Sequence, residues 1–137
     1  MQDLNRVPRL DPLVFPDNSL DVVTNVVSVD YLTRPLEVLQ DVFRALRSGG
    51  IVIFSFSNRM FWTKAVRIWT ESSEWQRVLI CAAYFSLTGF EAIEAFEIGG
   101  TGGGGRGDPL YIVQARKPIT STASHHDSDS DKVSAEL

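Results

Sequence analysis

The chain has 137 residues, of which 44% are hydrophobic and 22% charged, which is the size and composition of one globular domain. Its net charge of −4 offers no basic face, so the composition argues against a nucleic-acid partner. No apolar run approaches the roughly 18 residues of a membrane span, and the N-terminus has no signal peptide. We therefore expect a soluble intracellular protein, cytoplasmic by default, with organelle targeting left open if upstream sequence is missing.

Two apolar segments with a helical segment between them form the most informative part of the sequence. Residues 21–29 are rich in valine and nearly uncharged, which is typical of a central strand. Apolar residues then recur at helical spacing over 35–47, and a second apolar strand follows at 51–57. This pattern is one βαβ unit, whose strands should be parallel and buried on both faces.

The ends of this first helix carry recognisable signals. Thr33 is a candidate N-cap, and Arg44 and Arg47 suit the negative end of the helix dipole. Gly49 suits a left-handed cap, and the Gly-Gly pair that it begins predicts the turn into the second strand.

The second half of the chain predicts two helices followed by two strands. Residues 61–71 would form a helix that is apolar on two sides, and Ser73 begins a capping box for a helix over 74–86. Residues 90–98 and 110–116 have the pattern of strands. The glycine-rich loop between them leaves no room for a helical crossover, so this last pair should be antiparallel.

The chain divides into a folded part, residues 1–117, and a tail, residues 118–137. The tail consists mainly of Ser, Thr, His and Asp and should be disordered. Its two adjacent histidines, at 125 and 126, have no surrounding structure to orient them, so we predict no metal site.

The folded part resembles the second half of a known enzyme family. Residues 13–23 spell Leu-Val-Phe-Pro-Asp-Asn-Ser-Leu-Asp-Val-Val, and residues 46–50 spell Leu-Arg-Ser-Gly-Gly before the second strand. Both segments are similar to sequence motifs of the type-11 group of class I S-adenosylmethionine-dependent methyltransferases. The resemblance, which runs from Met1 to about Lys117, implies an α/β fold: a truncated Rossmann-like methyltransferase sheet with a final antiparallel strand pair. It also implies S-adenosyl-L-methionine as cofactor and a small-molecule acceptor.

The resemblance suggests five site residues. Asp3 and Leu4 look like the end of the family's third strand, where an acidic residue meets the adenine of the cofactor. Asn25 interrupts the next strand near its carboxyl end, where open α/β sheets bind ligands, and its amide could pair equally with cofactor or with a loop carbonyl. Asp30 and Tyr31 stand where many relatives have two histidines. They are weak catalytic candidates, since a structural role is the favoured alternative.

Two parts of the family's cofactor site have no counterpart here. The glycine-rich first loop and the acidic residue that binds the ribose would both lie upstream of Met1. We therefore expect the isolated chain to be incomplete or inactive as an enzyme.

The alternative is a non-catalytic interaction module derived from this fold. Self-association through the exposed edge of strand 21–29 is a hazard in either case. The antiparallel final pair argues against half of a dinucleotide-binding dehydrogenase.

Two further features of the middle segment have structural and functional interpretations. Phe61, Trp62, Trp69 and Trp75 form an aromatic group that, by resemblance, helps to cover the acceptor, although helix-on-sheet packing is the commoner use of such residues. Cys81 lies in an apolar run and is predicted to be a buried structural thiol.

Overall fold

The computed structural model describes residues 2–59, 65–99 and 107–120. At its centre is a four-stranded sheet with the strand order β1-β2-β4-β3. The strands are β1 (Leu20–Val26), β2 (Leu46–Ser57), β3 (Glu91–Ile98) and β4 (Leu110–Arg116), and the helices are α1 (Pro35–Ala45), α2 (Arg67–Thr70) and α3 (Glu74–Thr88). The predicted α/β fold class is confirmed.

The strand directions also agree with the prediction. β1 and β2 are parallel and are joined by α1, which completes the βαβ unit. β4 is antiparallel to both of its neighbours, β2 and β3, so the final strand pair is antiparallel. A single sheet therefore contains one parallel pair and two antiparallel pairs.

The core lies between one face of this sheet and helices α1 and α3. Phe54 of β2 packs edge-to-face on Phe85 of α3, with ring centroids 5.0 Å apart. Phe43 of α1 makes the same kind of contact with Phe90, also at 5.0 Å. Such aromatic pairs add about 0.5–1.5 kcal/mol beyond the area that they bury. Cys81 of α3 is fully buried in this core, as predicted.

The start of α1 differs from the prediction. Its N-cap residue is Arg34, which makes no side-chain capping bond. The amide and hydroxyl of Thr33 instead donate hydrogen bonds to Oδ1 of Asn5, at 2.9 and 3.2 Å. Pro35 needs no capping partner for its nitrogen, which reduces the cost of leaving the helix start uncapped.

The first strand ends earlier than predicted, at Val26 rather than at residue 29. Val27 has a φ of 49°, a left-handed conformation that is unfavourable for a β-branched residue. Its amide donates a 2.8 Å hydrogen bond to the carbonyl of Ser55, which fixes the turn. A short 3-10 turn, Val29–Tyr31, follows. The chain thus leaves the sheet abruptly at the carboxyl end of β1.

The helix predicted over 61–71 is wrong at Ala65 and Val66. Residues 60–64, including Phe61 and Trp62, lie outside the described residues, and Ala65 and Val66 are not helical. Val66 is extended because its amide donates a 2.9 Å hydrogen bond to the carbonyl of Asp30. Only Arg67–Thr70 forms a helix in this segment.

The second predicted helix of this half is confirmed, with its start as predicted and its end two residues later, at Thr88. Ser73 and Gln76 form the complete capping box at the start of α3. Gly89, with a φ of 109°, ends the helix in the left-handed conformation that glycine adopts without a steric penalty.

Strand β3 contains a strained position that a substitution should relieve. Ala92 has a φ of 52° at an irregularity in the pairing of β3 with β4. An L-residue in the left-handed conformation costs roughly 1–2 kcal/mol, which glycine avoids. About half of this gain is offset because glycine loses more backbone entropy on folding. We expect Ala92→Gly to raise the free energy of unfolding by about 0.5–1 kcal/mol, measured by urea denaturation. The matched change Ala95→Gly, in a regularly paired part of the same strand, should lower it.

Of the predicted tail, only residues 118–120 are described, and the hydroxyl of Thr120 lies 3.0 Å from that of Ser48. The remainder of the tail, with both histidines, and glycine-rich residues 100–106 lie outside the described residues.

Candidate functional site

A cavity of about 640 Å³ lies at the carboxyl end of β1. One wall is the N-terminal segment from Gln2 to Asn5, and the other consists of residues that follow or end β1. These lining residues are Gln2, Asp3, Leu4, Asn5, Asn25, Ser28, Tyr31 and Leu32. The structure therefore brings together four of the five residues suggested by the sequence, and Asp30 alone lies elsewhere.

The N-terminal wall is a turn rather than the end of a strand. Oδ1 of Asp3 accepts a 3.0 Å hydrogen bond from the amide of Asn5, and the carbonyl of Asp3 accepts from the amides of Arg6 and Val7. The expectation that residues 2–5 end a strand is therefore wrong for this part of the chain. Asp3 stays exposed, so its carboxylate is available at the mouth of the cavity.

Asn5 joins the two walls of the cavity. Its Nδ2 donates a 2.9 Å hydrogen bond to the carbonyl of Tyr31, while its Oδ1 accepts from the amide and hydroxyl of Thr33. One amide side chain thus makes three hydrogen bonds to the segment after β1. No role for Asn5 was predicted from the sequence. The only available signal was a polar residue beside Asp3 and Leu4.

Asn25 lies half-buried at the carboxyl end of β1, where its Oδ1 accepts a 3.0 Å hydrogen bond from the hydroxyl of Ser28. The tight turn at Val27 is what brings these two side chains together. Among the described residues no hydrogen bond involves Nδ2 of Asn25, which leaves an amide donor at the wall of the cavity. Ser28 is a second lining residue that was not predicted from the sequence.

Asp30, next to the lining residue Tyr31 in the chain, is buried, with 2% of its surface exposed. Burial raises the pKa of its carboxyl group, although a hydrogen bond from the Tyr31 side chain and the positive charge of Arg77 act in the opposite direction. Its Oδ1 has no hydrogen-bond partner within the described residues. Tyr31 lines the cavity, so the pair links the cavity wall to a buried carboxyl group.

The buried Asp30 should make stability depend on pH. Its folded-state pKa lies above the ordinary value of 3.8, so the folded protein holds this proton more tightly than the unfolded chain. The stability that this group contributes is therefore lost as the pH rises from its ordinary pKa of 3.8 through its higher folded-state pKa. We expect Asp30→Asn to raise the midpoint of thermal unfolding at pH 7 and to have little effect at pH 3.5.

Asp41 provides a control of opposite sign. Burial alone would raise the pKa of Asp41, but hydrogen bonds from Arg44 and from the amide of Leu10 outweigh it and lower the pKa. Its ionised form therefore stabilises the fold, and Asp41→Asn should lower the unfolding midpoint at pH 7. If both variants shifted the midpoint in the same direction, the assignment for Asp30 would be wrong.

The predicted aromatic group is divided by the structure. Trp69 is buried and contacts Phe56 edge-to-face, with centroids 5.0 Å apart. Phe56 also stacks on Tyr111, and the hydroxyl of Tyr111 donates to Glu74. Trp75, in contrast, is 72% exposed on α3, so it does not share a cluster with Trp69. Helix-on-sheet packing is the role that the structure gives Trp69.

The described ranges contain neither an activated cysteine nor a cluster of metal ligands. Burial raises the pKa of the Cys81 thiol to about 12, so the thiolate that would react is scarce at neutral pH. No group of three potential metal ligands occurs among the residues described here. None of the described helices is long and apolar enough to cross a membrane.

Comparison with known proteins finds a similarity to methyltransferases. Residues 5–54, which include β1, α1 and most of β2, match the model of a methyltransferase domain family. A probable S-adenosylmethionine-dependent methyltransferase from Mycolicibacterium smegmatis is 36% identical over 62 residues, which are 40% of this chain and 24% of that protein. The resemblance to class I S-adenosylmethionine-dependent methyltransferases is confirmed.

Solved methyltransferase structures have the same fold at low identity. A 16S rRNA (adenine(1408)-N(1))-methyltransferase variant from Catenulisporales acidiphilia superimposes with a TM-score of 0.61 and 11% identity, over 84% of this chain and 57% of that one. Haemonchus contortus phosphoethanolamine N-methyltransferase 2, solved with phosphomonomethylethanolamine and S-adenosylhomocysteine, gives a TM-score of 0.50 and 13% identity, over 76% of this chain and 35% of that one. The chain thus spans about a quarter of the curated methyltransferase's length. It spans 57% of the rRNA methyltransferase chain and 35% of the phosphoethanolamine methyltransferase chain.

Proposed function

We propose that this chain carries the adenine-binding part of the cofactor site of an S-adenosylmethionine-dependent methyltransferase that acts on a small-molecule acceptor. The observation that supports this is the cavity at the carboxyl end of β1, where Asp3 and Leu4 face Asn25. Ligands of open α/β sheets bind at this edge of the sheet. The domain proposed for this role is residues 1–117, the C-terminal half of such an enzyme.

The cavity suits the adenine end of the cofactor. Its volume of about 640 Å³ lies within the range of roughly 300–1,000 Å³ for small-molecule sites. Adenine has an exocyclic amino donor, ring-nitrogen acceptors and apolar faces. In the proposed arrangement the Asp3 carboxylate or a neighbouring carbonyl accepts from the amino group, Leu4 packs on the ring, and Nδ2 of Asn25 donates a hydrogen bond.

Asp30 and Tyr31 are the proposed residues for the acceptor step. When bound, S-adenosylmethionine supplies a methyl group on a positively charged sulfur, and the transfer depends mainly on in-line positioning. Tyr31 would position the acceptor at the cavity wall. Where the acceptor loses a proton, Tyr31 would pass it to the Asp30 carboxylate, to which its side chain is hydrogen-bonded.

Charge favours a small acceptor over a nucleic acid. Among the described residues that line the cavity, Asp3 has the only carboxyl group, and none is basic. A polyanionic acceptor would need lysine or arginine near the site. Although one similar structure is an rRNA methyltransferase, the described lining of this cavity contains no lysine or arginine.

The test is a map of weak binding by nuclear magnetic resonance. Adenosine and S-adenosylhomocysteine, each at millimolar concentration, should shift the amide resonances of Leu4, Asn25 and Ser28, whereas methionine should not. Asn25→Ala should reduce these shifts, and the matched change Asn58→Ala, outside the cavity lining, should leave them unchanged. Shifts confined to other residues, or equal shifts with methionine, would contradict the proposed adenine site.

An interaction module is the second candidate, and the free edge of the sheet favours it. Among the described residues β1 pairs only with β2, so the other side of a Val-rich strand has unpaired backbone groups. Exposed edges of this kind promote pairing between chains. Self-association of the isolated chain is therefore part of the proposal, and light scattering that showed a stable monomer would contradict it.

A cytoplasmic location stays a prediction from the sequence.

A further inference from the structure

Arg77 of α3 is a buried cation to which the proposed function gives no role. Among the residues that the structure describes, three charged side chains are buried, namely Asp30, Asp41 and Arg77. Asp41 accepts hydrogen bonds from Arg44 and from the amide of Leu10. Burying a charge is costly unless an opposite charge and hydrogen bonds compensate it. Asp30 and Arg77 are therefore left as two buried charges of opposite sign.

The contacts of Arg77 hold the short helix α2 in place. Its Nε donates a 3.1 Å hydrogen bond to the carbonyl of Trp69, and both residues are buried. The guanidinium carbon lies 5.9 Å from the centroid of the Trp69 ring, within the range of a cation–π interaction. Arg77 thus fixes both the backbone and the side chain of Trp69 from the side of α3.

The segment Val66–Thr70 connects Arg77 to the wall of the cavity. The amide of Val66 donates a 2.9 Å hydrogen bond to the carbonyl of Asp30, and the amide of Thr70 donates to the carbonyl of Val66 at 3.2 Å. Tyr31, the next residue after Asp30, lines the cavity. A change in the position of Arg77 is therefore passed through one helical turn to Asp30 and Tyr31.

The charges of Asp30 and Arg77 also act on each other. Burial raises the pKa of Asp30 and lowers that of Arg77, and the charge of each residue opposes the shift in the other. The other titratable groups of the described chain that act with Asp30 are the Tyr31 side chain, which is hydrogen-bonded to it, and the Cys81 thiol. Burial, with a smaller effect of Asp30, raises the pKa of Cys81 to about 12, so this thiol is neutral. Within the described residues, Arg77 supplies the positive charge that favours an ionised Asp30.

We infer that Arg77 is a positioning residue for Asp30 and Tyr31, because it holds them in place through Val66–Thr70 and balances the Asp30 carboxylate with a buried positive charge. The inference rests on the proposed function, in which Asp30 accepts a proton from Tyr31 and must therefore be ionised. Arg77 is not among the residues that line the cavity, so it acts through Asp30 and Tyr31.

The first experiment is a pH titration of the Asp30 carboxyl carbon in the full chain, followed by nuclear magnetic resonance without any ligand. Arg77→Gln keeps a donor for the carbonyl of Trp69 but removes the charge, so it should shift the Asp30 midpoint to higher pH. Arg77→Lys restores the charge and should return the midpoint towards that of the natural chain. Arg67→Gln, at an 88% exposed arginine of α2, is the matched control and should leave the midpoint unchanged. An unchanged midpoint in Arg77→Gln would overturn the inference.

A double-mutant cycle keeps the test decisive if the Arg77 variants fold poorly. Asp30→Asn should raise the midpoint of thermal unfolding at pH 7 by more in the Arg77→Met background than in the natural chain, because the carboxylate there has lost its counter-charge. A double variant that is no more stable than Arg77→Met, or equal effects of Asp30→Asn in both backgrounds, would overturn the inference.

These two measurements use no ligand, so they separate this inference from the proposed function. If adenosine failed to shift the resonances of Leu4 and Asn25, the proposed site would be wrong, while the coupling of Asp30 with Arg77 would still be measurable. If adenosine shifted them and the Asp30 midpoint did not respond to Arg77→Gln, this inference alone would fail.

Discussion

S-Adenosylmethionine is expected to show no measurable binding to the 137-residue chain at micromolar concentrations, and the chain should show no turnover. The proposed adenine end of the cofactor site consists of Asp3, Leu4 and Asn25, which line one cavity. In the family a glycine-rich loop and an acidic residue hold the methionine and ribose ends. Several missing contacts at about 1–3 kcal/mol each lower the affinity by several orders of magnitude. Titration calorimetry is the direct measurement.

A longer form of the chain, with a strand and a glycine-rich loop placed upstream of Gln2, provides the control. In that form Asp3→Ala should weaken cofactor binding, whereas Asp30→Ala should act on the acceptor step and leave cofactor affinity unchanged. Micromolar binding by the 137-residue chain itself would mean that it contains a different cofactor site, and the proposed half-enzyme would have to be abandoned.

Replacement of Lys117 by methionine should produce one of the largest losses of stability in the chain. Its Nζ donates hydrogen bonds to the carbonyls of Phe43 and Leu46 at 2.7 Å each, and to Oδ1 of Asn18 at 3.0 Å. It also lies 4.8 Å from the centroid of the Phe43 ring. The two carbonyls belong to the C-terminal end of α1, where a positive charge is favourable. We expect Lys117→Met to lower the free energy of unfolding by about 2–4 kcal/mol, measured by urea denaturation.

The neighbouring residue is the control for this change. Arg116 is exposed and makes a single longer hydrogen bond, 3.3 Å, to the carbonyl of Gly49. Arg116→Met should therefore change stability by less than about 0.5 kcal/mol, the usual range for surface substitutions. Equal losses for the two variants would show that Lys117 contributes only through general surface charge.

The secondary structure was largely predictable because its signals are local. The spacing of apolar residues predicts α1, and Ser73 with Gln76 predicts the start of α3, since both depend on neighbours within one or two turns. The loop between β3 and β4 was too short for a helical crossover, and that alone predicted their antiparallel pairing. The prediction failed at Ala65 and Val66, where a hydrogen bond to Asp30 overrides an apolar helical pattern.

The candidate site was predictable only in part. The resemblance selected Asp3, Leu4 and Asn25, and the structure gathers them around one cavity. It could not show that Asn5 would join the two walls, because that contact spans 26 residues and leaves no periodic signal in the sequence. It also could not show that of the adjacent residues Asp30 and Tyr31, the first is buried and the second lines the cavity.

The sequence by itself determined the order, type and direction of the strands and helices, since each follows from side-chain patterns and loop lengths within a short segment. Only the tertiary structure decided which groups satisfy the ends of those elements. Arg44 and Arg47 were the expected partners for the end of α1, yet Arg44 binds Asp41 and Asp17, and Arg47 binds Asp21. Lys117 takes that place from 74 residues away, because the pairing of β4 with β2 brings it to the helix end.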